Sequence, residues 1–277
     1  MRILVLGAAA SGLGPRDAGA VVGQAFAQRG HQVALVPVAE QTSALAAALA
    51  DLPEPRPALI PAARRASELA RAVRRAGAAT VLVDLGHDLE PDLGSGPADP
   101  VPGVDLVGVT TAEQLDLPLL GIRGVAARAG FASGEDRALT LERDAAYRRL
   151  AERLGTEPGP GSGAAGGAGL LVLSLGGRLR TPWQVLAEAC GLERSLPQAD
   201  LVVLVLAALD FGGTGVDLAR AAAGWAEAAG VACVVVAEQV VVPARELRSW
   251  GVEAGYGLAP GDDLPALARR VATTWSW

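Results

Sequence analysis

The first 37 residues, MRILVLGAAASGLGPRDAGAVVGQAFAQRGHQVALVP (Met1 to Pro37), decide the architecture. Residues 2–6 form a short apolar run that ends in a turn at Gly7, and 32–37 form a second run of the same kind. Between them, Pro15 to Arg29 has proline near its start, Val22 and Phe26 four apart, and Gly30 just past its end, which predicts a helix with both stop signals. Strand, helix, strand in so short a stretch is the unit of a parallel sheet, because parallel strands need a crossover that a helix supplies.

The alternation continues along the chain. Further strands are predicted at 80–85, 104–109, 200–206, 231–237 and 254–258. The stretch 67–76 places Leu69, Val73 and Ala76 inward and Arg71, Arg74 and Arg75 outward, and 141–154 aligns Tyr147, Leu150 and Leu154 on one helical face. Thr181-Pro182-Trp183-Gln184 reads as a capping box, Thr214 to Gly230 as a helix capped in the same way by Thr214 and Asp217, and Leu264 to Trp275 as a last helix. Pro/Gly/acid-rich stretches at 89–103 and 155–169 interrupt the pattern. The expectation is an α/β protein of two domains with a cleft between them. Residues 1–65 and 160–277 form a flavodoxin-like or Rossmann-like parallel-sheet domain from both chain ends, and 66–159 form a smaller inserted α/β domain.

Composition narrows the function. With 277 residues and 51% of them hydrophobic, the chain can bury a large core, while a net charge of −6, mixed-sign helical faces and 4% aromatic residues exclude a nucleic-acid partner. The longest apolar runs are strand-length, which argues against membrane insertion, and the first residues read as a strand rather than a signal peptide, so the cytoplasm is the expected location. Cys190 and Cys233 suggest neither a disulfide framework nor a metal site. All 24 basic residues are arginine, and the absence of lysine rules out every mechanism that needs one.

Two glycine-rich segments invite a binding role. Gly7-Ala8-Ala9-Ala10-Ser11-Gly12-Leu13-Gly14 superficially matches a dinucleotide loop, but its first spacing is one residue too long, and Tyr147 is followed four residues later by Ala151 where a dehydrogenase would carry lysine. Pro160-Gly161-Ser162-Gly163-Ala164-Ala165-Gly166-Gly167-Ala168-Gly169 reads either as an anion-binding loop at a helix start or as a flexible linker.

This second segment resembles the Pro-Gly-Ala-Gly-Ala-Ala-Gly-Gly-Leu-Gly motif of the two-domain bacterial glycerate kinases. Leu192-Glu193-Arg194, Ala199-Asp200-Leu201-Val202-Val203, Ser67-Glu68-Leu69, Val81 to Gly86 and Leu119-Leu120-Gly121-Ile122-Arg123-Gly124 are similar to further segments of that family in order and spacing. The resemblance implies an ATP-dependent glycerate phosphotransferase fold, with ATP and magnesium as cofactors if the family's activity survives. It implies Gly161, Ser162, Gly163, Gly166 and Gly167 as binding positions for a small anion such as glycerate or phosphate. Homo-oligomerisation is left open.

Departures fall on the chemically important positions. Ala8 to Gly12 stand where the family has Asp-Ser-Phe-Lys-Gly, Gly130-Phe131-Ala132-Ser133 where it has Gly-Pro-Gln-Lys-Gly, Leu204 to Ala207 where it has Thr-Gly-Glu-Gly, and Val216-Asp217 where it has Gly-Lys. Asp92, Asp116 and Asp210 are the surviving catalytic candidates, and each also reads as a solvated loop or cap carboxylate. His87 reads as a surface loop residue, while Arg16 and Arg123 are the arginines placed to compensate for lost cations. The expectation is a degenerate member: a pseudoenzyme that keeps a small-anion or protein-binding role, or alternatively an active kinase that uses those arginines.

Overall fold

The computed structural model describes residues 1–276. In chain order the elements are β1 (Arg2–Gly7), α1 (Pro15–Ala27), β2 (Gln32–Pro37), α2 (Thr42–Ala50), β3 (Ala58–Pro61), α3 (Ala66–Ala76), β4 (Thr80–Asp84), β5 (Asp105–Val109), α4 (Ala112–Leu115), α5 (Val125–Ser133) and α6 (Arg137–Leu154). There follow α7 (Ala168–Ser174), β6 (Arg178–Arg180), α8 (Pro182–Ala189), α9 (Leu192–Ser195), β7 (Leu201–Leu209), α10 (Thr214–Ala229), β8 (Ala232–Val240), α11 (Ala244–Ser249), β9 (Ala254–Tyr256) and α12 (Leu264–Thr274). Among the described residues no helix is long and apolar enough to cross a membrane.

The chain forms two compact units. The terminal unit holds residues 1–40, 44–52 and 183 onward, and its five strands run parallel in the order β2-β1-β7-β8-β9. That order is the flavodoxin-like one, with the reversal of strand order between β1 and β7. Leu201 to Leu206 are buried without alternation, as a strand covered on both faces requires. Ile3, Val5, Val203, Val205, Val234 and Val236 meet Val22 and Phe26 of α1 and Leu267 and Val271 of α12 in one core.

The central unit holds residues 41–43 and 53–182, with four parallel strands in the order β3-β4-β5-β6. Residues 58–61 and 178–180 thus supply both edges of the central sheet. Leu69 and Val73 of α3, Val81 and Val83 of β4, Leu170 and Val172 of α7, and Tyr147, Leu150 and Leu154 of α6 form its core. Asp136 caps α6 by accepting from the Ala138 amide at 2.6 Å, and Gly155 ends it in the left-handed region.

Two local expectations are corrected. Gly213, not Thr214, is the N-cap of α10, because the Thr214 hydroxyl donates to the Glu40 carboxylate at 3.1 Å instead. The 155–169 stretch is not a loose linker: residues 161–165 are all buried, and 164–167 form a 3-10 turn leading straight into α7.

Candidate functional site

The glycine-rich segment is a wall. Gly163 and Gly166 face a cavity of about 410 Å³ in the central unit, together with Asp88 and Glu90 after β4, Glu113 and Gln114 of α4, Val125 and Arg128 of α5, and Arg143 and Tyr147 of α6. Cavities of this size suit small ligands.

What shapes the wall is an unusual backbone. Ala165 and Gly166 both lie in the left-handed region and Gly167 follows at φ 105°, a run that costs an alanine about 1–2 kcal/mol. Three contacts hold it: Gln114 Oε1 accepts from the Ala165 amide at 2.7 Å, the Leu89 amide donates to the Ala165 carbonyl at 3.0 Å, and the Tyr147 hydroxyl donates to the Gly166 carbonyl at 3.0 Å. Tyr147 is almost wholly buried, and that burial, aided by the nearby Glu90 carboxylate, pushes its hydroxyl up to about 12. It therefore remains a donor across the ordinary pH range.

Most amides of the segment point into the chain. Ser162, Gly163 and Ala164 donate to the carbonyls of Gly159, Leu117 and Gly161, and Gly167, Ala168 and Leu170 donate to Gly163, Ala164 and Ser162. Ser162 is fully buried; its hydroxyl donates to Gly159 O at 2.5 Å and accepts from the Leu119 amide at 3.2 Å. Gly161 lies buried against Leu179 and Leu115, and Gly167 against the Tyr147 ring. Of the five expected binding positions, only Gly163 and Gly166 reach the cavity.

The expected acids are dispersed. Asp92 pairs with Arg65 at 2.5 Å and accepts from the Gly94 amide at 2.8 Å, and that amide, ahead of the guanidinium, holds its carboxyl below the usual range. Asp116 is exposed on a second depression of about 510 Å³, shared with Glu113, Arg123 and Arg128. Asp210 belongs to the terminal unit, where it closes a turn by accepting from the Gly212 amide at 3.1 Å. His87 is exposed.

A smaller acidic edge lies at the C-terminal ends of the terminal unit's strands. The Ser11 amide, in the loop that superficially matched a dinucleotide site, donates to the Glu238 carboxylate of β8, and Glu40 lies close to Asp210. Burial, and secondarily Asp210, raise the Glu40 carboxyl above its ordinary 4.5, against the opposing Thr214 hydroxyl. A carboxyl raised in the folded state contributes stability that is complete below the unfolded value and lost as pH rises through the folded one. Glu40→Gln is therefore expected to melt higher than the parent at neutral pH, with the difference closing below pH 4.5. Melting curves across that range check it; a variant that melts lower at neutral pH would show that the Thr214 bond outweighs the burial cost.

Sequence reasoning missed Gln114, Arg128, Arg143, Asp88 and Glu90, and, with Ala151 four residues on in place of a lysine, kept Tyr147 only as part of a helical face. The one available signal was Tyr147 itself, since a buried tyrosine needs a partner for its hydroxyl.

Fold and cavity together define a parallel α/β protein with a recess of about 410 Å³ in its central unit. The chain belongs to the glycerate kinase family, whose model, described as "Glycerate kinase family", matches residues 99–273. An uncharacterized protein of Mycobacterium bovis is 31% identical over 225 residues, covering 75% of this chain and 58% of that protein. A glycerate kinase of Halalkalibacterium halodurans is 28% identical over 199 residues, covering 64% of this chain and 51% of that protein. The chain thus spans little more than half the length of these curated relatives. A crystal structure assigned as glycerate kinase 2 from Salmonella typhimurium LT2 shares the fold at a TM-score of 0.70 and 18% identity, covering 99% of this chain and 98% of that one.

Proposed function

We propose that this chain is a family member that binds a small polar molecule in the cavity of its central unit and does not phosphorylate glycerate at kinase rates. One observation carries the reading: both guanidiniums on the cavity wall are already matched by carboxylates. Arg128 pairs with Glu113 at 2.7 Å, and Arg143 grips Glu135 through two bonds of 3.0 and 3.1 Å.

Phosphoryl transfer is chiefly positioning and neutralisation of charge by cations. A preorganised contact of this kind is worth about 3 kcal/mol, roughly two orders of magnitude in rate, so a site without several of them turns over little. The chain has no lysine to supply one.

Arg123 favours a second reading, an active glycerate kinase with a compensating arginine. It is exposed, makes no ion pair among the described residues, and shares the second depression with Asp116. A coupled assay for ADP release with ATP, magnesium and glycerate separates the two. The expected result is no glycerate-dependent release above background. Turnover of roughly 1–100 per second, lost in Arg123→Ala, would establish the second reading.

A further inference from the structure

We propose that the central cavity takes a small organic cation, an amine with a short apolar body, rather than a hydroxy-acid anion. The inference rests on the reading that the cavity is a ligand site, and it follows from which wall groups are already engaged. Arg128 and Arg143 answer Glu113 and Glu135, so two of the wall's charges are cancelled in place. Asp88 and Glu90 have no cation within ion-pair distance among the described residues, and both act electrostatically on the Tyr147 hydroxyl. The remaining formal charge of the wall is therefore negative.

Hydrogen-bonding directions agree with the charge. The Tyr147 proton goes to the Gly166 carbonyl, and the amides of Ser162 to Ala165 go to the chain itself, so these donors are not turned toward an incoming carboxylate. The Tyr147 oxygen keeps lone pairs, and the two unpaired carboxylates add further acceptors, which is what an ammonium group needs. Leu117, Val125, Ala129 and Ala132 line the rest of the wall and suit a few methylenes. A bare metal ion fits less well, since no three potential ligands are grouped together among the described residues.

Calorimetric titration of the intact chain with ethanolamine and 1,4-diaminobutane, against glycerate, inorganic phosphate and magnesium chloride at matched ionic strength, tests this. Saturable binding of the amines is expected, weakened at least tenfold in Asp88→Asn/Glu90→Gln, whose changes fall on exposed side chains. Ala132→Trp, which fills the cavity from an exposed helical position, is expected to abolish it. Binding of glycerate, phosphate or magnesium without binding of the amines would overturn the amine inference and leave the cavity a ligand site. Amine binding that both variants preserve would also overturn it. Binding of none of the probes would remove the ligand-site reading as well.

Discussion

Gly169→Ala is expected to destabilise the protein by about 3 kcal/mol, although helix propensity alone favours alanine over glycine by about 1 kcal/mol. Gly169 is buried in the first turn of α7, and a Cβ built there would lie 2.3 Å from the Gly161 carbonyl oxygen and 3.1 Å from the Ala164 Cβ. The nearest of these is a backbone atom. It has little freedom to withdraw, because the Gly161 carbonyl accepts from the Ala164 amide at 2.9 Å and the neighbouring Ser162 is fully buried. Overpacking against such a neighbour reverses the sign of the propensity term. At about 2–4 °C per kcal/mol for units of this size, the melting midpoint falls by roughly 6–12 °C. A calorimetric scan checks it, and a midpoint at or above the parent's would show that residues 161–169 have slack that their packing denies.

That prediction explains why composition misled. Ten residues of mostly glycine and alanine are as consistent with a flexible tether as with a wall packed too tightly for side chains, and only the atoms approaching from elsewhere decide. The segment's likeness to a family motif agrees with the family model, which spans this region. The strands were legible where they are central: 201–206 and 231–237 are continuous apolar runs because helices cover both faces of a parallel sheet. The edges were not. β6 is Arg178-Leu179-Arg180, three residues with one buried side chain, and β3 is Ala58–Pro61, four residues ending in proline. Neither carries enough alternation to register. The wall of the cavity escaped for a different reason: its polar residues come from the loop after β4 and from α4, α5 and α6, each contributing one or two charges, exposed except for the half-buried Arg143, that look like ordinary solvated surface until the fold brings them to one recess.

Tyr147→Ala is expected to cost about 4 kcal/mol, and the comparison with Tyr147→Phe apportions that loss. Tyr147 is 2% exposed on the buried face of α6 beside Leu150 and Leu154, and its ring lies under the backbone at Gly167. Deleting the ring opens a cavity beneath the left-handed turn, for a midpoint drop of roughly 8–16 °C. Removing only the hydroxyl leaves the Gly166 carbonyl without its donor. Gly166 borders the cavity, so water reaches that carbonyl and the cost is about 1 kcal/mol rather than the full penalty of a sealed, unpaired group. The hydroxyl also sets a pH signature. Its value is raised from 10.0 in the unfolded chain to about 12 in the fold, so its contribution is complete below the unfolded value and lost as pH climbs toward the folded one. The gap between parent and Tyr147→Phe should therefore hold constant from about pH 6 to about pH 9 and shrink above pH 10. A gap that varies between pH 6 and pH 9 would mean that another titrating group governs the turn, and equal midpoints for parent and Tyr147→Ala would show that the ring does not support it.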